Sequence, residues 1–135
     1  MRWKIETFHK ILKSGCRAEE SKLRTASRLT NLLAIFCILS WRVFWLTMTA
    51  RSGGDALPSS VFTKEEMVLL DHLVPDRNIA PCNSNLVSYL VNLARLGGYL
   101  ARISDGPPGN TVLWRGLRRL NDIHLGFLAA KVVGN

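Results

Sequence analysis

The longest apolar run of the chain, residues 32–49, sets the first limit on its fold. The run is nearly long enough to span a membrane. Arg42 lies inside it, however, and an arginine near the middle of a membrane helix costs about 2.5–3.5 kcal/mol on insertion scales. Because Arg28 and Arg51 lie on either side, the flanking charges indicate no orientation across a bilayer. The run predicts a buried core helix, with a membrane helix as the less favoured alternative. Its polar residues are predicted to mark the less buried side: Asn31, Ser40, Arg42 and Thr49.

The remaining composition indicates one small basic domain in a reducing compartment. A length of 135 residues suits a single compact core. The net charge is +8, and the excess is concentrated in residues 1–51. Such an excess is typical of contact with phosphate backbones, and a solvated basic surface without a partner is the alternative. Cys16, Cys37 and Cys82 are too few and too scattered for a disulfide scaffold, so we expect a cytoplasmic protein.

Common catalytic and metal-binding motifs are absent from the sequence. His9, His72 and His124 lie far apart, without the spacing of a zinc site. The glycines at residues 53–54 lack the Lys-Ser/Thr pair that follows a phosphate-binding loop. The sequence therefore offers no enzyme assignment of its own.

Hydrophobic periodicity and capping residues predict a compact all-α bundle of about five helices. No segment shows the sustained alternation of a strand. Thr63 and Glu66 have the spacing of a capping box, and Gly97-Gly98 lies inside a helical pattern where it would permit close backbone packing. The predicted helices are residues 2–13 (ended by Gly15), a long apolar helix ending near Arg51, a short helix from Thr63, a helix capped by Asn83 or Ser84, and a last helix capped by Asn110 or Thr111 that ends near Val133.

The last helix carries an apolar stripe with coiled-coil-like spacing, here called the seam. It consists of Leu113, Leu117, Leu120, His124 and Phe127. Gly116 lies beside it and would allow a partner to approach closely. The spacing fits either a face of the chain's own core or a dimerisation helix.

The first helix carries a ladder of charges. Arg2, Glu6, Lys10 and Lys13 are spaced by four, four and three residues and are predicted to share one helical face. One interpretation is a set of surface ion pairs. The other is a metal-binding carboxylate among cations that hold a phosphate backbone.

The same residues resemble a known signature. The pattern Arg2-x-x-x-Glu6-x-x-x-x-x-x-Lys13 resembles the end of the Tyr-x-x-Arg-x-x-x-Glu-x-x-x-x-x-x-Lys motif of bacterial cut-and-paste transposases of the insertion-sequence-four family. Further segments are similar to that family and to the dimerisation region of the transposon-five transposase: residues 3–10, 62–66, 94–99, 113–116 and 126–131. The resemblance covers nearly the whole chain.

The resemblance implies a role for each residue of the ladder. Glu6 matches the last acid of the Asp-Asp-Glu triad, which helps to hold Mg²⁺ in the complete enzyme. Arg2 and Lys13 match residues that contact the transposon-end backbone, and Lys10 matches a further basic position of the same helix, so all three are expected to bind DNA. Because the region with both catalytic aspartates has no counterpart here, the chain is expected to have no catalytic activity alone and no cofactor.

The resemblance also implies the domain organisation and the partners. Residues 1–30 match the end of the catalytic-domain signature, and residues 31–135 match the helical dimerisation region. Leu113, Gly116, Leu117, Leu120 and Phe127 are the expected contacts with a second copy or with a full-length transposase. The signature's tyrosine would precede Met1, so a truncated reading frame is expected. The alternatives are a small basic DNA-binding protein that inhibits a full-length transposase and, less favoured, a single-pass membrane protein.

Overall fold

The computed structural model describes residues 2–15, 18–52, 56–74 and 85–134, and these ranges contain helices and no strand. Shorter helical turns accompany the five α-helices: a π-helical turn at Ile11–Gly15 and 3₁₀ turns at Ala18–Glu20 and Pro58–Ser60. The prediction of an all-α bundle of about five helices is confirmed. The helices are α1 (Arg2–Lys10), α2 (Ala26–Ser52), α3 (Lys64–Leu73), α4 (Leu86–Leu96) and α5 (Asn110–Val133).

Side-chain caps fix where α3 and α4 begin. Thr63 caps α3 with the predicted capping box: its hydroxyl accepts from the Glu66 amide at 3.2 Å, and its own amide donates to Glu66 Oε2 at 3.0 Å. The prediction for α4 is wrong, because the cap is Asn85, whose Oδ1 accepts from the Ser88 amide at 2.9 Å. Asn83 and Ser84 lie outside the described residues.

Glycines mark two helix boundaries that the sequence analysis placed elsewhere. Gly109 precedes α5 with no side-chain cap, so neither Asn110 nor Thr111 is the capping residue. Gly97 caps the end of α4, and Gly98 follows with a φ of +96°, a conformation that side chains disfavour. The glycine pair therefore ends α4 instead of lying within it.

The core centres on the packing of α4 against α5, the most extensive contact between described helices. Gly97 and Gly116 face each other at this contact: a Cβ on Gly116 would lie 1.9 Å from the Leu93 carbonyl oxygen. The predicted close packing at Gly97 is confirmed, and the partner is α5. Most fully buried side chains surround this crossing: Ile11, Val43, Leu46, Leu70, Leu86, Leu90, Leu93, Leu113, Leu117 and Leu120.

The long helix α2 is buried over only part of its length. Its C-terminal half contributes Val43, Leu46 and Thr47 to the core, whereas Ile38 toward the N-terminal half is 70% exposed. The prediction of a buried core helix therefore holds for the C-terminal half alone. The predicted less buried side is wrong at Ser40, which is fully buried, whereas Asn31 is exposed as predicted. The exposed side of α2 carries apolar side chains, here called the α2 stripe: Ile35, Ile38, Trp41 and Trp45.

Arg42 joins the C-terminal half of α2 to the start of α3. Its Nη2 donates to Glu66 Oε1 at 2.6 Å, and the Glu66 side chain is only 5% exposed. Glu66 thus serves both the α3 capping box and the ion pair. By length and composition, Ala26–Thr49 is apolar enough to cross a membrane, and only 28% of its apolar window is buried in the fold.

Candidate nucleic-acid interface

Helix α1 lies on the surface and presents part of the charged ladder to solvent. Arg2 Nε and Glu6 Oε1 are 3.2 Å apart, with side chains 95% and 65% exposed. Phe8 anchors the helix by an edge-to-face contact with Phe44 of α2, at 6.5 Å between ring centroids. Because α1 is a nine-residue α-helix, Arg2, Glu6 and Lys10 follow one another a turn apart on one side.

Lys13 is held differently from the rest of the ladder. The α-helix ends at Lys10, and Lys13 lies in the π-helical turn that follows. Its ammonium group pairs with Glu19 at 2.8 Å. The hydrogen bond that the Lys13 ammonium donates to Glu19, together with the negative charge of Glu19, raises the pKa of Lys13 above the ordinary 10.5. The predicted single α-helical face therefore covers Arg2, Glu6 and Lys10, while Lys13 lies beyond a change in helix geometry.

These pairings limit what the ladder can do chemically. Arg2 pairs with Glu6, and Lys13 pairs with Glu19. A phosphate group that bound Arg2 or Lys13 would therefore compete with the carboxylate of that pair. Both pairs are exposed, and exposed ion pairs contribute little to stability because water screens the charges. A phosphate oxygen can therefore displace either carboxylate at small cost.

The described residues do not fit a two-metal centre. A two-metal site needs several converging carboxylates. Within the described ranges no group of three or more His, Cys, Asp or Glu side chains is placed to hold an ion. Glu6 supplies a single carboxylate, which is too few for such a site.

The seam divides into a buried part and an exposed part. Leu113, Leu117 and Leu120 are fully buried against the chain's own core, and Gly116 packs on α4. These four residues therefore form an internal face and are not available to a second molecule in this fold. Phe127 is 44% exposed, because α5, about 36 Å long, extends past the shorter α4. Its ring also carries the Lys131 ammonium group 4.6 Å from its centroid.

The opposite side of α5 carries cations that the sequence analysis missed. Arg115, Arg118 and Arg119 are exposed and occupy positions i, i+3 and i+4. None of the three has an ion-pair partner within 4.0 Å in the part of the chain that the structure describes. Their spacing was visible in the sequence, but it is informative only once the buried side of α5 is known.

No known protein-family model matches this chain. The resemblance to transposases therefore rests on its motifs alone.

Proposed function

We propose that the chain is the C-terminal part of a cut-and-paste DNA transposase, acting in transposon-end contact and subunit association. The observation that carries the proposal is the exposed position of Arg2, Glu6 and Lys10 on α1, within a motif that resembles the transposase signature. An all-helical bundle following this motif agrees with the similarity to the family's dimerisation region. The residue set supplies one acid of the triad, so catalysis would need a chain that provides the two aspartates.

Transposon-end DNA is the proposed partner of α1. Lysine and arginine side chains neutralise phosphates and release counterions, so each contact steepens the salt dependence of binding. Lys4 adds an exposed cation to the same short helix. Displacement of the Glu6 and Glu19 carboxylates by phosphate would release Arg2 and Lys13 for contact with DNA.

Binding to DNA tests the proposal directly. The chain should bind a duplex made from the terminal repeats that flank its own gene more tightly than a shuffled duplex, as measured by fluorescence anisotropy. Replacing Arg2, Lys10 and Lys13 by Gln should lower the magnitude of the slope of log affinity against log salt by about 2.7, which corresponds to three phosphate contacts. A matched variant with Lys64, Arg51 and Lys131 replaced by Gln removes the same charge elsewhere and should keep the slope. Equal slopes in all three proteins would contradict the contact.

Cleavage of the same duplex should not occur with Mg²⁺ or Mn²⁺, because Glu6 lacks the other carboxylates that a two-metal centre needs. A labelled strand incubated with the chain and resolved on a denaturing gel measures this. Cleavage that disappears in Glu6→Ala would show that the chain is an enzyme alone.

The proposed association surface is the end of α5 that projects beyond the core. We call it the distal patch, and its exposed apolar residues are Leu125, Phe127, Leu128 and Val132. A symmetric contact would use this patch on both copies. The patch is small, so a weak, concentration-dependent dimer is expected.

An inhibitory protein is the second candidate, and the distal patch is the observation that favours it. A chain that can associate but carries one acid of the triad would form inactive mixed dimers with a complete transposase. Adding the chain to a strand-transfer assay of such an enzyme should lower the rate, and Phe127→Glu should relieve the effect. Unchanged rates would exclude this role.

A cytoplasmic location without a membrane span is part of the proposal. The Arg42–Glu66 ion pair ties the middle of α2 to α3, and a spanning helix would have to break that pair or carry both charges into lipid. The chain should therefore fractionate away from carbonate-washed membranes.

A further inference from the structure

We propose that Arg115, Arg118 and Arg119, here called the arginine stripe, form a phosphate-binding surface on α5 that contacts a nucleic-acid backbone. The surface is separate from the ladder on α1 and does not require the chain to be a transposase. The two sides of α5 differ: one side is buried in the core, and the other carries the three exposed arginines.

The stripe is fixed in place by what lies behind it. Leu113, Leu117 and Gly116 pack into the core, so the helix cannot rotate about its axis. The arginines therefore point away from α4 into solvent at positions i, i+3 and i+4, where Cβ atoms are about 5–6 Å apart. The packed helix therefore fixes where the three side chains begin, and all three guanidinium groups can reach the same side of α5.

Phosphate is the ligand that suits this arrangement. Arginine presents a planar fork that binds phosphate oxygens in pairs. Arg115 and Arg119 lie about 6 Å apart along the helix axis. Successive phosphates of one DNA strand lie about 3.4 Å apart along the duplex axis, so three long side chains can reach two or three neighbouring phosphates. Asp122 lies one turn further on the same side, and none of the arginines pairs with it within 4.0 Å among the described residues.

A nucleic acid fits better than an anionic membrane. A helix that binds a membrane surface inserts an apolar face beside its basic face. In the N-terminal half of α5 the leucines of that apolar face, Leu113, Leu117 and Leu120, are buried in the chain's own core and cannot enter a membrane surface beside the arginines. The net charge of +8 gives the whole chain a further attraction to a polyanion.

The experiment compares the salt dependence of binding for charge-matched variants. The probe is a fluorescein-labelled 20-base-pair duplex of arbitrary sequence, titrated by anisotropy between 50 and 200 mM KCl. In the stripe variant, with all three arginines replaced by Gln, the slope of log affinity against log salt should fall in magnitude by about 2.7. Over this salt range the wild-type affinity would then drop about 40-fold more than that of the stripe variant. The control variant replaces Lys22, Arg24 and Arg51 by Gln and should keep the wild-type slope.

The other outcomes of the titration distinguish binding by the arginine stripe from binding by the ladder on α1. A wild-type slope in the stripe variant, an equal loss in the control, or no binding by the wild type at 50 mM KCl would overturn the inference. Loss of slope only in the variant of Arg2, Lys10 and Lys13 would keep the transposase proposal and overturn the stripe. Loss of slope in the stripe variant alone would support the stripe and exclude the α1 contact.

Vesicles with 30% anionic lipid should bind no better to the wild type than to the stripe variant. Stripe-dependent vesicle binding without duplex binding would refute the inference. Equal far-UV helicity of all variants is the folding control.

Discussion

Gly116→Ala should destabilise the protein although alanine is the better helix former. Gly116 lies inside α5 where this helix crosses α4, and a Cβ there would lie 1.9 Å from the Leu93 carbonyl oxygen. Real Cβ atoms essentially never come within 3.0 Å of such an atom, so the two helices would have to separate by more than 1 Å. The obstacle is backbone, which no change of rotamer can move aside.

The magnitude follows from two opposing terms. Separating packed helices by 0.5–1 Å loses about a quarter to a half of each dispersion contact across the gap. Overpacking of a core costs about 1–3 kcal/mol, and a backbone obstacle among fully buried leucines calls for the upper end. Alanine regains about 1 kcal/mol of helix propensity. The net loss in the free energy of unfolding should therefore be about 2 kcal/mol.

Urea unfolding followed by circular dichroism measures this loss. With a slope of about 2 kcal/mol per molar urea, the midpoint of Gly116→Ala should fall by about 1 M. Gly126→Ala is the matched control, because Gly126 also lies within α5 and a Cβ there meets nothing within 4 Å. The control should be more stable than wild type by up to about 1 kcal/mol. If Gly116→Ala unfolds at the same urea concentration as Gly126→Ala, the close crossing of α4 and α5 is wrong.

Three further predictions concern the ion pairs and the distal patch. Glu66→Gln should lower the free energy of unfolding by about 1–2 kcal/mol, because Arg42 loses its charged partner while the side chain at position 66 can still accept from the Thr63 amide. Glu66→Ala should cost more, because it removes both interactions. Equal urea midpoints for the two variants would contradict the dual role of Glu66. Glu19→Gln should bring the pKa of Lys13 back toward 10.5 in an NMR titration of the ammonium group. Since the folded-state pKa is the higher one, the pair contributes stability below about pH 10.5, and the contribution disappears as the pH rises through the folded-state value; an unchanged pKa would exclude the pair. Phe127→Glu should shift a monomer–dimer equilibrium toward monomer in sedimentation with helicity unchanged, and a persisting dimer would place the contact elsewhere.

The helical class could be predicted from the sequence, but several helix boundaries could not. Periodicity counts apolar positions over whole helices, so an error at one end changes little. The α4 cap lies in a run of three residues that can all cap a helix, Asn83, Ser84 and Asn85. Which of them does so depends on the backbone dihedral angles where the helix begins, and residue type does not determine those. The end of α4 at Gly97 depends in the same way on the positive φ of Gly98.

The side of α2 that faces the core could not be predicted for a different reason. Apolar residues occur on all sides of this helix, so the polar residues were used as the guide. Ser40 is buried nonetheless, and Arg42 is half-buried because Glu66, 24 positions later in the sequence, balances its charge. A helix that is apolar all round gives little indication of its orientation.

The seam and the ladder show what residue spacing can and cannot decide. Heptad spacing identified the apolar side of α5 correctly, yet the same spacing fits a partner within the chain or outside it. The reciprocal contact of Gly97 with Gly116 assigns the first half of the seam to α4. In the ladder, the sequence predicted the Arg2–Glu6 spacing, but it did not predict the π-helical turn that contains Lys13 or the pairing of Lys13 with Glu19.

The uneven burial of α2 divides one continuous helix into two units of different local stability. The 27 residues span about 40 Å, and only the C-terminal half is held by the core and by the Arg42–Glu66 pair. Ile35 and Ile38 lie on the exposed side of α2, in the half that is less buried, and isolated helical segments of this length are marginal in water. Their protons should exchange with solvent through local opening, whereas those near Val43 and Thr47 should exchange only when the core opens. A molecule that covers the α2 stripe would slow exchange of the amides near Ile35 and Ile38 and leave those near Val43 and Thr47 unchanged. Amide exchange along α2 would therefore show whether the stripe is covered.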